Sequence, residues 1–595
     1  MNNYVPSMHD AFNARTFTIH ELCNSFIVSD SFTKLCGLSN TVMIGPRGSG
    51  KTTLMRMLSV QAIDTWDGEL ADYYRKNIPY SGVFIPTDRV WKSQYEKVKD
   101  RLGGSHDYLD VLDSLFIYHV LERFISALSY RASRTLDKKY NFLHINISKK
   151  DEADLVKELS ESWMVNPSIT TFKSLEVALI KKKQIVSSFI YSLINKRNLN
   201  EKPEVVSGDI TDIIGNSVDM VNVSINDSDA KWCFLFDELE LAPDHIVQPL
   251  IDATRGRSDS YIFKLALSPY HENVRITDGP DSSMNNQDFS FVNLTGSSDR
   301  SGLEFSKQLC ANVFIRNELD QPIDSYFDDY VSSTLKDDFI DLANKDSAFR
   351  SYLGSKKIDI DKFDEYTDKD KRTTIRKIQR VVRVRNAYLK ENGKPNSLKR
   401  PPDFYGGFEN ICKSLEYNPR MLIGIMNGFV PIIKENGTVP IHNQIASIVK
   451  FCNSYRSLLS TIAIDSIDRR FKNINDLIDC IGRYFQHQVH GEKFESEPKG
   501  SLTFNKKQSI NYKDVIGVAL NAGALISIDN VDAYQSVSDI TNVRCRLSFI
   551  FAHHYRILLI KQRAVNFQEV LKDDTVVLRA VDPMVSKEID QLDLL

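Results

Sequence analysis

Several things that this sequence lacks narrow it before anything that it has. No two of its eight cysteines, Cys23, Cys36, Cys233, Cys310, Cys412, Cys452, Cys480 and Cys545, form a CxxC pair, which argues against a zinc site. Isolated cysteines in apolar stretches such as WCFLF and LIDCIG read as small buried hydrophobes of a reducing compartment. No run of about 18 apolar residues signals a membrane span, and the opening MNNYVPSMHDAFNART lacks the basic-then-apolar order of a signal peptide. The expectation is a cytoplasmic protein with no membrane association. Internal repeats and low-complexity tracts are missing. Net charge is nearly missing too, with 75 Lys and Arg against 78 Asp and Glu. That balance excludes wholesale coating of nucleic acid but leaves room for a local basic surface.

What remains is an ordinary globular composition, 42% hydrophobic and 26% charged over 595 residues. Such a chain is too long for one core, so two to four domains are expected. The segment HELCNSFIVSDSFTKLCG, within a lead-in region 1–40, reads as a helix with Leu22, Phe26 and Ile27 near one face. Thr41–Ile44 is a short apolar run of the kind buried on both faces of a parallel sheet. A helix over TTLMRMLSVQAI and a strand near 80–88 complete a strand-helix-strand unit. Helical patterning then fills about 90–228, a large insertion, before strands resume at 232–236, 261–268 and 289–294. Alternation of this kind predicts an α/β layered core. From about 300 the chain reads as helical, and from about 471 as helices mixed with short β segments.

Gly45-Pro46-Arg47-Gly48-Ser49-Gly50-Lys51-Thr52 fits GxxxxGK[ST] between a predicted strand and a predicted helix. Its glycines let successive N–H groups turn toward phosphates, and the helix N-terminus adds partial positive charge. The motif calls for ATP and Mg²⁺, with Lys51 on the β- and γ-phosphates, Thr52 on the metal and Thr53 beside it. The run Cys233–Phe236 leads into Asp237 and Glu238. A buried strand ending in two acids gives a metal-side carboxylate, Asp237, and a base that orients water, Glu238. Ser268, closing YIFKLALS, stands where a neighbouring strand reaches the γ-phosphate or the attacking water; a simple turn before Pro269 is the alternative.

With these residues in view, the chain resembles the AAA+ ATPases, and within them the replication-initiator clade that includes origin recognition complex subunits, as a bacterial member. GPRGSGKTT and FLFDELE match the family's two nucleotide motifs, FKLALS is similar to its sensor-1 strand, and Asn418-Pro419-Arg420 stands before an apolar helix as the sensor-2 arginine of the lid does. The resemblance implies an AAA+ core over 41–297, a helical lid region over 298–470 in which Arg420 reaches the γ-phosphate, and a winged-helix-like domain over 471–595. It also implies assembly, as a homo-oligomer or a complex with an effector protein, in which a neighbouring arginine completes the site. Arg275 lies where the family places that finger, with Arg255 and Arg257 as competitors and a surface salt bridge as the alternative for each. About 185 residues between the two nucleotide motifs is far more than a compact core uses.

The strongest charge signal is KDKRTTIRKIQRVVRVRNAYLK, residues 369–390. At 100° per residue Arg372, Arg376, Arg380, Arg383 and Lys390 share one face, with Ile375, Ile378, Val382 and Leu389 on the other. Lys399 and Arg400 extend the charge. The basic face reads as a phosphate-binding stripe for DNA, or as a solvated face paired with nearby acids; membrane-surface binding ranks last for want of aromatic anchors. Two functions therefore stand open: an ATPase that assembles and engages DNA, and a regulatory NTPase switch acting on a protein partner, for example in bacterial anti-phage defence. A degenerate ATP-binding scaffold is disfavoured by the intact Lys51, Thr52, Asp237 and Glu238.

Overall fold

A computed structural model describes residues 17–87, 89–101, 108–133, 144–195, 201–227, 229–256, 258–271, 289–294, 299–329, 334–366, 369–396, 401–464, 470–528, 540–541 and 543–573. The chain forms two compact units, one spanning Asn13–Leu294 and one beginning at Thr295.

In the first unit, helices α1 (Ile19–Ser25) and α2 (Asp30–Leu35) precede strand β1 (Thr41–Ile44). The single helix expected here is two. Ser29 is the reason: the backbone leaves α1 extended at Phe26, and Ser29 Oγ accepts from Phe32 N at 3.3 Å to start α2. The helix expected over TTLMRMLSVQAI also splits, into α3 (Lys51–Met57) and α4 (Val60–Thr65), because Ser59 caps the second part through Ala62 N. Then come α5 (Glu69–Asn77), β2 (Ser81–Pro86), α6 (Arg89–Arg101), α7 (Leu109–Arg131), α8 (Lys149–Ser162), α9 (Phe172–Ile194), α10 (Ile210–Ser224), β3 (Trp232–Asp237), α11 (Asp244–Ala253), β4 (Tyr261–Leu267) and β5 (Ser290–Asn293).

The five strands make one parallel sheet in the order β2-β3-β4-β1-β5, with Ile44 beside Leu267 and Asp237 beside Pro86. Strand periodicity divides its two faces. Met43, Cys233, Leu235, Ile262, Ala266 and Val292 join the core built by α1–α5 around Phe32, Met55 and Trp66. The alternate residues of β3 meet α7: Phe124 packs edge-on to Trp232 at 4.9 Å, and Phe116 stacks on Phe236 at 6.1 Å. Helix α7 thus supplies the second face of the sheet, and the insertion is a layer of the core rather than an appendage. On β4, Lys264 is fully buried and donates to the carbonyls of Gly37 and Ser39 at 3.0 and 3.1 Å, tying the lead-in to the sheet.

Packing is close where β2 passes the end of α3. A Cβ on Gly82 would collide with the carbonyl oxygen of Leu58 and lie 2.8 Å from its carbon. Backbone cannot swing aside as a side chain can, so Gly82→Ala is expected to destabilise the protein by about 3 kcal/mol or more. A chemical-denaturation midpoint equal to wild type would refute this.

The second unit holds α12 (Asp299–Ile315), α13 (Leu335–Lys345), α14 (Ser347–Ser355), α15 (Lys369–Ala387), α16 (Phe408–Ser414), α17 (Pro419–Asn436), α18 (Ile441–Ser460), α19 (Ile474–His490), β6 (Lys499–Thr503), α20 (Lys506–Ala522), β7 (Leu525–Ser527), β8 (Cys545–Leu547), β9 (Arg563–Asn566) and α21 (Phe567–Lys572). Its sheet runs β7-β8-β6-β9, antiparallel except where β6 and β9 lie parallel. Buried and partly buried polar ties join residues before 470 to those after it. Arg385 Nε donates to Asp346 at 2.6 Å while its Nη1 reaches Val489 O at 2.9 Å. Glu416 receives both Nη atoms of Arg546 at 2.6 and 2.7 Å, and Tyr405 Oη donates to Ile557 O at 2.9 Å. All eight cysteines are buried, and none is in a disulfide.

Candidate nucleotide site

The loop after β1 has the shape that its glycines permit. Gly45 N donates to Leu267 O at 3.2 Å, so the loop leaves from the end of β4 as well as β1. A Cβ on Gly45 would strike Ser49 Oγ and come 2.9 Å from Leu294 Cβ. Gly48 and Gly50 take φ of 82° and 96°, the left-handed region that side chains avoid. Pro46 is buried and Arg47 exposed, and Ser49 N closes the turn on Pro46 O at 3.3 Å. Lys51 opens α3 with its side chain folded into the loop, where Nζ donates to the carbonyls of Gly45 and Pro46 at 2.5 and 3.3 Å. Thr53 follows on the same first turn, partly exposed.

Thr52 and Asp237 meet across 185 residues of chain, Thr52 Oγ1 donating to Asp237 Oδ2 at 2.8 Å. Asp237 is wholly buried. A carboxylate and a hydroxyl so placed are hard oxygen donors, the set that suits Mg²⁺ and that keeps room for waters and phosphate oxygens around it. The residues present therefore fit the metal. Glu238 leaves the strand in the left-handed conformation, φ 55° and ψ 44°, uncommon for a residue with a Cβ. Its carbonyl accepts from Leu241 N at 3.0 Å, and its side chain is partly exposed. The strand's two acids are thus divided, one sealed beside Thr52 and one turned out at the strand end. Ser268 is buried and its hydroxyl donates to Glu240 at 2.5 Å. Sequence reasoning misses Glu240, although it is the third acid of DELE.

A family model described as ORC-CDC6-like matches residues 8–567. The chain belongs to the ORC-CDC6-like family. Nothing matches it among curated proteins or among solved structures. Membership makes this ORC-CDC6-like chain an AAA+ protein of the initiator clade, a class of NTPases that binds ATP with Mg²⁺, and its parallel five-stranded sheet with helices on both faces is the corresponding α/β fold. No described helix is long and apolar enough to cross a membrane.

The remaining candidates of this ORC-CDC6-like chain are placed as follows. Arg420 is exposed on the first turn of α17, which Asn418 caps through Arg420 N and Met421 N at 3.1 and 3.3 Å. Arg255 lies 3.9 Å from Asp252 one turn before it. Arg275, Arg257, Lys399 and Arg400 lie outside the described residues.

Two members of the basic stripe are corrected. Helix α15 ends at Ala387, so Lys390 is not on it; the chain turns at Asn392-Gly393, with Gly393 at φ 72°, and Lys390 N donates to Lys394 O at 2.9 Å. Arg383 is on the helix but half-buried, its Nε held by the buried Asp338 of α13 at 3.0 Å. Arg372, Arg376 and Arg380 are exposed, while Ile375, Ile378 and Val382 are buried. Leu389 falls in the turn after the helix and is half-buried. The exposed charge of α15 includes these three arginines, Lys369 and Asp370 in the first turn, and Lys377, which lies 3.9 Å from Glu497.

Proposed function

We propose that the chain binds and hydrolyses ATP with Mg²⁺, works as part of an oligomer or a complex, and engages duplex DNA in a nucleotide-dependent way. The 2.8 Å contact between Thr52 and Asp237 carries the nucleotide part, because it joins the two motifs at the point where a metal is needed. Bound there, Mg²⁺ would offset the charge of the phosphates. Lys51 swings from the loop carbonyls to the β- and γ-phosphates, and Glu238 orients the attacking water. Ser268, braced by Glu240, takes the neighbouring-strand role. The lid role of Arg420, the shared finger at Arg275 and the winged-helix role of 471–595 belong to the same reading.

For DNA the support is the row Arg372, Arg376 and Arg380, since arginine presents a rigid donor fork to phosphate. Affinity for duplex DNA should fall steeply with salt. Replacing these three by Glu should lower the slope of log affinity against log salt by about 0.9 for each phosphate no longer neutralised, about 2.7 if all three arginines sit on phosphates. ATP binding should be unchanged, since the buried face of α15 is untouched. Arg383 is left in place to keep Asp338 paired. An unchanged slope would assign α15 to a solvated face.

The second reading, a switch acting on a protein partner, has its own observation. Val177, Ile180 and Tyr191 on α9 are 48%, 48% and 53% exposed, apolar side chains spaced along one face with the polar Gln184 and Ser188 between them, a mixed surface that suits a protein better than a phosphate backbone. Turnover stimulated by duplex DNA supports the first reading. Turnover indifferent to DNA in the wild type and in the Glu variant supports the second.

A further inference from the structure

Strand β2 is at the edge of the sheet, so among the described residues its outer carbonyls have no neighbouring strand. At its end, beside the metal-side acid, the insertion supplies a partner: His119 Nε2 of α7 lies 2.9 Å from Pro86 O. His119 is 6% exposed and is kept neutral, its pKa pushed down to about 3 by burial first and then by the nearby Lys183 and Arg123. A carbonyl only accepts, so Nε2 carries the hydrogen and Nδ1 is left as an acceptor. Lys183 Nζ of α9 stands 3.4 Å from Nδ1 and is also ion-paired with Glu122, four-fifths or more buried, one turn along α7. Trp91 of α6 packs edge-on to the imidazole at 5.0 Å. Three insertion helices thus fix one ring on one carbonyl.

That carbonyl is next to the site. Pro86 is the register partner of Asp237, and Thr87 N donates to Asp237 O at 3.1 Å. Movement of Pro86 therefore moves the backbone from which the Asp237 carboxylate reaches Thr52. We propose that His119 is a positioning residue for Asp237: the insertion, through His119, holds the end of β2 so that Thr52 and Asp237 keep the spacing required for the nucleotide's metal. The inference rests on the proposed ATP and Mg²⁺ reading of that pair. It gives the insertion a task at the site although none of its residues belongs to either nucleotide motif.

The test uses the full chain, a fluorescently labelled ATP and a Mg²⁺ titration, with the melting curve of each variant recorded alongside. Gln places its side-chain N–H where His carries Nε2 and still reaches Pro86 O, whereas Asn places it where His carries Nδ1 and does not. H119N should raise the Mg²⁺ concentration for half-maximal ATP retention by about tenfold, the lower end of what loss of an outer partner of a metal ligand costs. H119Q should stay within about twofold of wild type on the same scale. Nucleotide retained with EDTA in place of Mg²⁺ should be alike in all three proteins. Equal Mg²⁺ dependence in H119N and wild type, or equal loss in H119N and H119Q, would overturn the proposal. A wild-type chain that retains no ATP at any Mg²⁺ concentration would instead overturn the ATP reading and the inference with it, whereas Mg²⁺-dependent retention that both variants share overturns the inference alone.

Discussion

Glu238→Gln should leave ATP bound and lower phosphate release by about 10²–10⁴-fold, the range that a positioned general base contributes. Gln has nearly the same shape and keeps the left-handed turn at φ 55° that Leu241 N closes on the Glu238 carbonyl. What it loses is the ability to take a proton from water. Asp237 is wholly buried beside Thr52, so the metal-side pair survives the change, and binding with it. Lys51→Ala is the companion control: it removes the cation folded into the loop and should abolish retention of the nucleotide itself. Phosphate release and equilibrium ATP binding separate the two effects. Wild-type turnover in Glu238→Gln would show that the base lies elsewhere.

Arg385→Ala should cost about 3–5 kcal/mol, the typical penalty for removing one member of a buried ion pair. Arg385 is 5% exposed, and its loss strands the carboxylate of Asp346, 8% exposed, along with the carbonyls of Val489 and Lys493. Most of the cost is the desolvated charge left behind rather than the attraction given up. The double variant R385M/D346N should therefore recover a large share. Asn keeps the oxygen that caps α14 through Ala348 N at 2.9 Å, while Met fills the space of the arginine stem. Urea denaturation of the three proteins gives the comparison. A single variant within about 1 kcal/mol of wild type, or a double variant no better than the single, would contradict the assignment.

Much of the candidate nucleotide site is legible in the sequence because its signals are local. Glycines at fixed spacing, a lysine and a threonine at a helix start, and two acids after an apolar run are all short-range signals, and the strands that carry them are short apolar runs. The insertion is harder. Helix α7 is apolar nearly all round, which marks it as buried without saying what buries it; the answer lies in the alternation of Trp232, Phe234 and Phe236 more than a hundred residues on. The breaks at Phe26 and Leu58 escape a reading by periodicity because apolar spacing continues through them while a single serine hydroxyl restarts the helix. Arg383 and Arg385 look alike in the sequence, yet the first is half-exposed and the second buried. What separates them is the placing of Asp338 and Asp346, which precede them by 45 and 39 residues. Lys264, in the middle of an apolar strand, carries no sequence signal that its ammonium is satisfied by the carbonyls of Gly37 and Ser39.

The polar ties across residue 470 have a mechanical meaning. Arg385, Tyr405 and Glu416 each reach past that point into the C-terminal helices and sheet, the first two through buried bonds and the third through a partly buried one. Bending between the segments before and after residue 470 would have to break these hydrogen bonds, so they stiffen the second unit against it. Within this unit α15 is coupled to α19 through its last turn, where Arg385 reaches the carbonyls of Val489 and Lys493.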